Sequence, residues 1–438
     1  MLSAIGIAGY AEYHLYNLSL RPLGSAIEAV MLRASIRVRG DPGMTRRSLR
    51  GQVAVAGVGE TTYYRHGQAA EPEFVLCLKA ILAACKDAGI DPRDIDGFAS
   101  YSNDRNDPPG LATALGTHEL RFSCMQWGGG GGGGAGAMAN AAAAIATGLA
   151  DCVVVYRALA QGQFGRFGQG ARVNTVSADM ALSIPYGQMS PAQWYAPKVM
   201  RFMHEHKIGQ EALRAIAMAS YHHAQANPRA VMCGRPLTEQ AYDDSRWITE
   251  PFHLFDCCQE NDGAAAVILV STERARDLKQ TPAYVLGAAI GAGYRVHSTP
   301  AGFATPDLAS SHFKTVAKHM YDMAEVAPKD VDVVQCYENF TGGVLMSLVE
   351  HGLFTAEEAM DFLKMENLIA PAGRLPLNTS GGNLAECYMH GLELQIEAVR
   401  QIRGESTSQV PDVKVSLAAA GPMVTPVSTI IFGSEAAL

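Results

Sequence analysis

The chain has 438 residues, of which 48% are hydrophobic and 18% charged, and its formal net charge is −8 at pH 7. This composition supports a large buried core and excludes a mainly disordered chain, while the mild acidity argues against a nucleic-acid-binding protein. The sequence also lacks an apolar run of the roughly 18 residues that a membrane helix needs, so no membrane span is expected.

Nine cysteines are scattered along the chain, and none of them forms a CxxC pair. An odd number of cysteines in a long chain argues against a disulfide framework and predicts a reducing, cytoplasmic location. The sequence contains no zinc-binding signature, and no metal site is predicted.

The first part of the chain differs in composition from the remainder. Residues 1–43 are rich in arginine and poor in acidic residues, and they lack the charged-then-apolar pattern of a signal peptide. Met44 stands shortly before the first strand candidate. We therefore predict that residues 1–50 are an N-terminal extension outside the core.

Short apolar runs bounded by Gly, Pro, Asp or Ser alternate along the chain with longer segments that suit helices. The short runs predict strands at Val53–Gly57, Ile95–Tyr101, Cys152–Tyr156, Ala264–Ser271, Ala283–Ala289, Val331–Tyr337, Val413–Ala418 and Val427–Phe432. The longer segments predict helices at Phe74–Ala88, Ala135–Thr147, Glu211–Ala226, Ser311–Glu325, Gly343–His351 and Leu384–Arg403. This alternation favours a layered α/β fold.

A run of seven glycines, Gly128–Gly134, lies between a strand-like segment that begins at Arg121 and an alanine-rich helix. Glycine carries no reactive side chain and costs conformational entropy, but it lets the backbone approach a ligand closely. A dinucleotide-binding interpretation fails because no acidic residue ends a second strand about 20 positions later. The run indicates either a substrate-binding loop or only a flexible start of the helix.

An internal repeat relates two distant parts of the chain. The segments IDPRDIDGFASY (Ile90–Tyr101) and VAPKDVDVVQCY (Val326–Tyr337) share Pro, Asp, Asp and Tyr at the same spacing. The repeat predicts two similar halves, 51–285 and 286–438, with an inserted loop domain at about 158–255 in the first half. Pseudo-twofold packing of such halves would bring positively polarised helix N-termini toward one cleft, which suits a developing oxyanion.

Four segments, in order, resemble signature segments of the thiolase superfamily, particularly its sterol-carrier-protein-x type. They are DCCQENDGAAAVILV (Asp256–Val270), CYENF (Cys336–Phe340), NTSGGNLAECYMHG (Asn378–Gly391) and AAAG (Ala418–Gly421). The resemblance covers about residues 51–438. It implies a thiolase fold, with two duplicated βαβαβαββ halves in a five-layer α-β-α-β-α core and an inserted loop domain.

The resemblance also implies which residues stand at the catalytic positions of a thiolase. The segment IATGLAD (Ile145–Asp151) resembles the end of the helix after the nucleophile, and counting back from it puts the nucleophilic cysteine position at Gly131. The two histidine positions fall on Tyr337 and Tyr388, and the second cysteine position falls on an alanine. The chain therefore lacks the thiol that accepts the acyl group in thiolysis.

A retro-aldol cleavage needs no such thiol, because a base, an acid and an oxyanion site are sufficient. We predict that one of Tyr337 and Tyr388 takes the β-hydroxyl proton while the other protonates or holds the enolate. His390 is an alternative acid or base. A structural role for Tyr337 stays open because the other copy of the repeat also ends in a tyrosine, Tyr101.

Further residues are expected to line the substrate loop and the oxyanion site, namely Gly131, Gly134, Asn339 and Gly421. Cys124 is an alternative nucleophile, although a structural thiol in a strand is the favoured interpretation.

Thiolase-like aldolases of steroid side-chain breakdown, of the lipid-transfer-protein type, resemble this chain in lacking the cysteine and carrying both tyrosines. The resemblance implies an aldolase that cleaves a β-hydroxyacyl-CoA, with a steroid side-chain thioester as substrate, to a ketone and a short acyl-CoA such as propionyl-CoA. The CoA thioester is then the substrate, and no covalently bound cofactor is expected. The resemblance also implies a homodimer and a small OB-fold, zinc-ribbon partner.

Two other functions are compatible with the residues. A cysteine-free thiolase-like chain could be a non-catalytic scaffold subunit of a multicomponent acyltransferase, or a CoA-thioester-binding carrier. The paired tyrosines discriminate between these functions, because an aldolase needs them and a scaffold does not.

Overall fold

The computed structural model describes residues 48–127, 130–164, 181, 183–293, 296 and 307–438. Part of the glycine run, part of the predicted loop domain and nearly all of the predicted N-terminal extension lie outside these residues. At the end of that extension, Arg50 donates from Nε to the carbonyl of Ala324 and from Nη2 to the carbonyl of Ala437, at 2.9 and 2.7 Å. The hydroxyl of Ser48 also donates to the carbonyl of Met323 at 3.3 Å, so Ser48 and Arg50, which we placed in the extension, both contact the core.

The strands agree with the sequence predictions to within a few residues at most positions. They are β1 (Val53–Glu60), β2 (Tyr64–Arg65), β3 (Gly97–Tyr101), β4 (Phe122–Gln126), β5 (Cys152–Ala160), β6 (Trp247–Thr249), β7 (Phe252–His253), β8 (Asn261–Ser271), β9 (Ala283–Gly291), β10 (Val333–Cys336), β11 (Val415–Ala420) and β12 (Val427–Gly433).

The α-helices alternate with these strands in both parts of the chain. They are α1 (Glu73–Ala88), α2 (Pro108–Leu115), α3 (Gly134–Ala146), α4 (Gln161–Phe164), α5 (Pro191–His206), α6 (Gln210–Ala226), α7 (Glu239–Asp243), α8 (Thr272–Arg276), α9 (Phe313–Ala324), α10 (Thr341–Glu350), α11 (Ala359–Phe362), α12 (Met365–Leu368), α13 (Gly382–Ala385) and α14 (Leu392–Arg403). Between β5 and β8, where we predicted the loop domain, the chain forms α4 to α7 and the β6–β7 hairpin.

The strand pairing shows that the two halves have the same topology. In the first half β3 runs parallel to β4 and β5, β5 pairs antiparallel with β8, and β8 pairs antiparallel with β1. In the second half β10 runs parallel to β11, β11 pairs antiparallel with β12, and β12 pairs antiparallel with β9. The counterpart of β4 is reduced to one parallel bridge between Val334 and Leu377.

Helices form three layers around the strands of the two halves. In the middle, α3 contacts β3, β5 and β8 of the first half as well as β9 and β12 of the second, and α14 contacts β10 and β11. On the outside, α1 packs on β1 and β8, and α9 packs on β9 and β12. This is the α-β-α-β-α arrangement predicted from the family resemblance, so the predicted fold is confirmed.

The repeated segments place two tyrosines at equivalent points of the two halves. Each copy forms a 3₁₀ turn, at Pro92–Asp94 and Pro328–Asp330, and then continues into β3 or β10. Tyr101 ends β3, and Tyr337 directly follows β10. Both side chains are buried and point into the same core cluster around the middle helices.

The helix predicted at Leu384–Arg403 is wrong in one respect that bears on the site. The helix is interrupted between α13 and α14, where His390 and Gly391 have φ angles of 52° and 85°. Residues in this left-handed region cannot continue a right-handed α-helix. Tyr388, which we predicted to stand at a helix start, therefore lies in a loop.

Candidate active site

The phenol groups of Tyr337 and Tyr388 form the centre of the candidate site. Tyr337 is held by its backbone N–H, which donates to the carbonyl of Ala419 at 2.9 Å. The backbone N–H of Tyr388 donates to Oδ1 of Asn261, also at 2.9 Å. The two Oη atoms lie 2.6 Å apart, and the side chains are 1% and 6% exposed. The structure thus brings together the two residues that we predicted to be catalytic.

Burial is the main influence on the acidity of this pair. Loss of hydration raises the pKa of both phenols well above the usual value of 10, so both are neutral at pH 7. The hydrogen bond between them partly lowers the pKa of Tyr337 and further raises that of Tyr388. Either of the two Oη atoms can donate the hydrogen bond that they share.

The ring of Tyr337 occupies the space in front of the predicted nucleophile position. A Cβ atom added at Gly131 would lie 2.6 Å from Cδ2 of this ring, and closer still to Cε2 and Cζ. A Cβ at Gly391, on another side, would lie 2.7 Å from the same Cδ2 atom. The ring is thus packed between two glycine backbones. A cysteine at Gly131 and the present position of Tyr337 are therefore sterically incompatible.

Gly421 belongs to the turn that fixes the glycine loop. Its φ is 67°, and a Cβ there would lie 2.8 Å from the carbonyl carbon of Gly131. Next to this contact, the hydroxyl of Ser428 donates to the carbonyl of Gly132 at 2.6 Å. The described part of the loop is therefore held against the turn between β11 and β12, and this brings Gly131 and Gly421, both expected at the substrate loop, close together.

Asn339 and Gly134 lie near this loop but are engaged with other groups. The amide Nδ2 of Asn339 donates to the carbonyl of Pro422 at 3.2 Å, and its Oδ1 accepts from the backbone N–H of Phe340 at 2.8 Å. Gly134 begins α3, and a Cβ there would lie 2.7 Å from Nε2 of Gln395. In this structure Asn339 joins the loop after β10 to the turn after β11, and Gly134 packs closely against Gln395 of α14.

His390 contacts the pair through its ring, and a buried arginine fixes its protonation. Its Nδ1 lies 3.1 and 2.9 Å from Nε and Nη2 of Arg157, which also forms a 2.9 Å ion pair with Asp104. A guanidinium only donates hydrogen bonds, so Nδ1 accepts and the ring proton lies on Nε2. Burial, with the Arg157 charge, lowers the pKa of His390 well below 6.5. The neutral ring packs edge-on against Tyr388, 5.0 Å between ring centres.

Cys258 is a part of the site that sequence reasoning missed. Its side chain hydrogen-bonds Tyr388, and its backbone N–H donates to the carbonyl of Asn339 at 3.2 Å. Burial raises the pKa of the thiol well above its usual value, so the thiol stays protonated at pH 7. The place of Cys258 in the family-signature segment Asp256–Val270 is the sequence signal that points to this region. Cys124, the weaker candidate, contacts Asn140 instead, away from the pair.

Arg157 and Tyr101 were also missed as neighbours of the site. Arg157 is the charged residue in the otherwise apolar strand β5, and a fully buried arginine always needs partners, which was a usable signal. Tyr101 donates from Oη to the carbonyls of Met389 and His390, at 3.3 and 3.1 Å. It therefore supports the loop that carries Tyr388, whereas its counterpart in the repeat, Tyr337, contacts the phenol itself.

Two absences bear on the chemistry of the described residues. Within the described ranges, no group of three or more His, Cys, Asp or Glu side chains is arranged to hold a metal ion. No helix in the same part of the chain is long and apolar enough to cross a membrane.

The two halves have the same topology and share a pair of middle helices, and a glycine turn faces the site. These features define a thiolase-fold protein in which phenols replace the nucleophilic thiol. Comparison with known proteins agrees with this class. Residues 295–434 match the family described as thiolase C-terminal domain-like. Human mitochondrial 3-ketoacyl-CoA thiolase shares the fold, with a TM-score of 0.63 at 16% identity over 89% of this chain and all of that chain.

Closer relatives are aldolases. A steroid side-chain-cleaving aldolase of Thermomonospora curvata is 39% identical over 88% of this chain and 99% of its own length. The 17-hydroxy-3-oxo-4-pregnene-20-carboxyl-CoA lyase of Mycobacterium tuberculosis is 37% identical over 88% of this chain and 100% of its own length. A structure described as the Ltp2-ChsH2(DUF35) aldolase superposes with a TM-score of 0.82, at 39% identity over 89% of this chain and 99% of that chain.

The chain belongs to the thiolase superfamily, in the aldolase branch that these relatives represent. It is accordingly a carbon–carbon lyase, and the enzyme class predicted from the sequence is confirmed.

The close packing of the Tyr337 ring against Gly131 can be tested by substitution of the glycine. Gly131→Ala should lower the free energy of unfolding by about 1–3 kcal/mol, because the added methyl overlaps the buried ring. Thermal and denaturant unfolding measure this change. Gly291→Ala is the matched control, because a Cβ there meets only Val316 at an ordinary 3.5 Å. Equal stability of the two variants would contradict the proposed steric conflict.

Proposed function

We propose that the protein cleaves a β-hydroxyacyl-CoA between its α and β carbons by a retro-aldol reaction, and that the substrate is the CoA thioester of a steroid side chain. The products are a ring ketone and a short acyl-CoA such as propionyl-CoA. One observation carries the proposal: the Tyr337 ring fills the nucleophile position and its hydroxyl contacts that of Tyr388. The substrates named for the two similar aldolases support the choice of substrate.

A proton relay through the pair suits two phenols whose pKa values are both raised. The β-hydroxyl gives its proton to one phenol oxygen as that phenol passes its own proton to the second phenol and the second phenol passes its own proton to the α-carbon. The electrons of the O–H bond form the ketone, and those of the breaking C–C bond pass through the enolate of the thioester into the new C–H bond. Each phenol regains a proton, so neither has to hold a full charge for long.

Either phenol oxygen can donate the shared hydrogen bond, so one tyrosine takes the proton of the β-hydroxyl while the other serves the enolate. The first turn of α3 begins three residues after Gly131. Its backbone N–H groups supply partial positive charge beside the enolate oxygen. In this scheme the CoA thioester is the substrate, and no covalent cofactor is required.

Removal of either phenol hydroxyl tests this relay. Tyr337→Phe and Tyr388→Phe should each lower kcat by about 10²–10⁴-fold, because the chain of proton transfers is broken. Ketone release from a steroid β-hydroxyacyl-CoA measures the effect. Tyr156→Phe is the control, since this buried tyrosine donates to the carbonyl of Asn106 at 2.5 Å, away from the pair. Activity that is indifferent to both substitutions would favour a scaffold function.

Cys258 provides a test of whether catalysis is covalent. Its thiol lies beside Tyr388 but stays protonated, and the retro-aldol scheme gives it no bond to form. Cys258→Ala should therefore keep kcat within about tenfold of the parent enzyme, a loss of at most ~1.4 kcal/mol in transition-state stabilisation. Rapid-quench mass spectrometry of the parent should find no acylated cysteine. An acyl group on Cys258, or complete inactivity of Cys258→Ala, would overturn the non-covalent mechanism.

We propose that the protein is a homodimer that pairs through β4. This strand pairs with β3 among the described residues and forms one edge of the sheet. Its side chains alternate between half-buried and exposed, with Met125 41% exposed, and Trp127 just after it is 82% exposed. An exposed strand edge with large apolar side chains is a ready template for pairing with a second copy. Because β4 leads directly into the glycine loop, pairing would also brace the site.

Light scattering after size-exclusion chromatography tests the dimer. Met125→Asp should convert the dimer to a monomer at micromolar concentration, because it buries a charge at the proposed interface. Met360→Asp, at a comparably exposed methionine of α11, should leave the dimer intact. A monomeric parent protein, or a dimeric Met125→Asp variant, would contradict pairing through β4.

We propose, further, that a small OB-fold, zinc-ribbon protein completes the substrate site, as the family resemblance implies. The similar aldolase structure is named for two proteins, Ltp2 and ChsH2(DUF35), which supports a small partner. A cytoplasmic location is also proposed. All nine cysteines are free thiols, as expected in a reducing compartment.

A further inference from the structure

A completely buried carboxylate, Glu338, lies directly after Tyr337 in the chain. Its Oε1 accepts a hydrogen bond of 2.5 Å from the hydroxyl of Ser220, and its Oε2 accepts one of 2.8 Å from the backbone N–H of Asn383. Asn383 returns the contact, because its Oδ1 accepts from the backbone N–H of Glu338 at 2.9 Å. The two residues are thus joined in both directions.

These contacts join three elements that converge on the tyrosine pair. Glu338 belongs to the loop after β10, Ser220 to α6, and Asn383 to α13 in the segment that leads to Tyr388. The amide Nδ2 of Asn383 also contacts Glu393, whose Oε1 accepts from the backbone N–H of Met389 at 3.2 Å. An unbroken series of buried hydrogen bonds therefore runs from beside one phenol-bearing residue to beside the other.

The backbone at Gly382 packs directly against this carboxylate. A Cβ added at Gly382 would lie 2.9 Å from Cδ of Glu338, and closer to Oε2, at a φ of 58° that disfavours any side chain. The glycine turn at the start of α13 therefore wraps the carboxyl group itself. A shared buried hydrogen-bond network of this kind fixes the separation of the loops that it joins.

We propose that Glu338 is a positioning residue of the reaction, which holds the two tyrosine-bearing loops in register and ties both of them to α6. This inference rests on the proposed function only in assigning catalysis to the tyrosine pair. Glu338 itself forms no bond to the reacting atoms and transfers no proton to them.

Both protonation states of Glu338 can satisfy these contacts. Burial raises its pKa to about 7. Backbone N–H groups only donate, so a protonated carboxyl must turn its O–H toward the hydroxyl of Ser220, which can accept. Gln at this position would keep the same arrangement, with its NH₂ donating to Ser220. The titratable groups whose pKa values the charge of Glu338 raises are Tyr221, Cys258 and Cys336.

The experiment compares two substitutions of Glu338 in the full chain with its partner. Glu338→Ala should lower kcat by about 10²-fold with little change in KM, because freed loops misplace the phenols. Glu338→Gln should restore kcat to within about tenfold of the parent. Glu350→Ala is the matched control, because this buried carboxylate accepts from Ser310 and Ser311 at the far end of α10. The Glu350→Ala substitution should lower the free energy of unfolding without lowering kcat.

The pH dependence of unfolding is a second readout. The folded-state pKa of Glu338 lies above its ordinary 4.5, so the folded protein holds this proton more tightly. The stabilisation from this proton is lost as the pH rises from about 4.5 to about 7. Glu338→Gln cannot lose a proton there, so its stability relative to the parent should rise over this range.

Different results would contradict the positioning role of Glu338 and the proposed function. A folded Glu338→Ala variant with the parent kcat, or a Glu338→Gln variant as impaired as Glu338→Ala, overturns the positioning role. If Glu338→Ala does not fold, Ser220→Ala removes one contact and should still lower kcat more than Glu350→Ala does. If the parent releases no ketone, the proposed function fails. The positioning role is then read from ¹⁹F spectra of 3-fluorotyrosine at Tyr388, which should shift in Glu338→Ala and not in Glu350→Ala.

Discussion

The space in front of Gly131 is the constraint on which the rest of the site depends. Only one group can occupy it, and in this protein that group is the ring of Tyr337. A side chain at Gly131 would displace the ring, and displacement of the ring would separate its hydroxyl from that of Tyr388. The lack of a side chain at Gly131 and the contact between the phenols of Tyr337 and Tyr388 therefore depend on each other.

The duplicated fold places a tyrosine at the equivalent point of each half. Tyr101 and Tyr337 end equivalent segments of the two halves, and both point toward the middle layer of helices. Tyr101 uses its hydroxyl to hold two backbone carbonyls of the loop that carries Tyr388, whereas Tyr337 places its hydroxyl on that residue's phenol. Tyr101 thus supports the loop that carries Tyr388, and Tyr337 contacts the phenol of Tyr388.

The sequence was sufficient for features that repeat or that carry a family signature. The segments ending in Tyr101 and Tyr337 predicted the two halves, and the family-like segment Ile145–Asp151 located Gly131 by counting back. The break at His390 and Gly391 was not readable, because a left-handed residue within an otherwise helical pattern is set by tertiary packing. Cys258 lies in a family-signature segment, but nothing in that segment indicates its contact with Tyr388, which joins residues far apart in the chain.

Burial decides which chemistry the remaining groups can perform. It keeps the Cys258 thiol protonated, holds His390 neutral beside Arg157, and raises the pKa of both phenols. None of these groups can act alone as a strong base at neutral pH. Two phenols joined by a hydrogen bond do not need to act as a strong base, because a proton that enters one oxygen is matched by a proton that leaves the other. The same low-polarity surroundings that would disable a single catalytic tyrosine therefore favour a relay through two, provided that their separation is fixed from outside the pair.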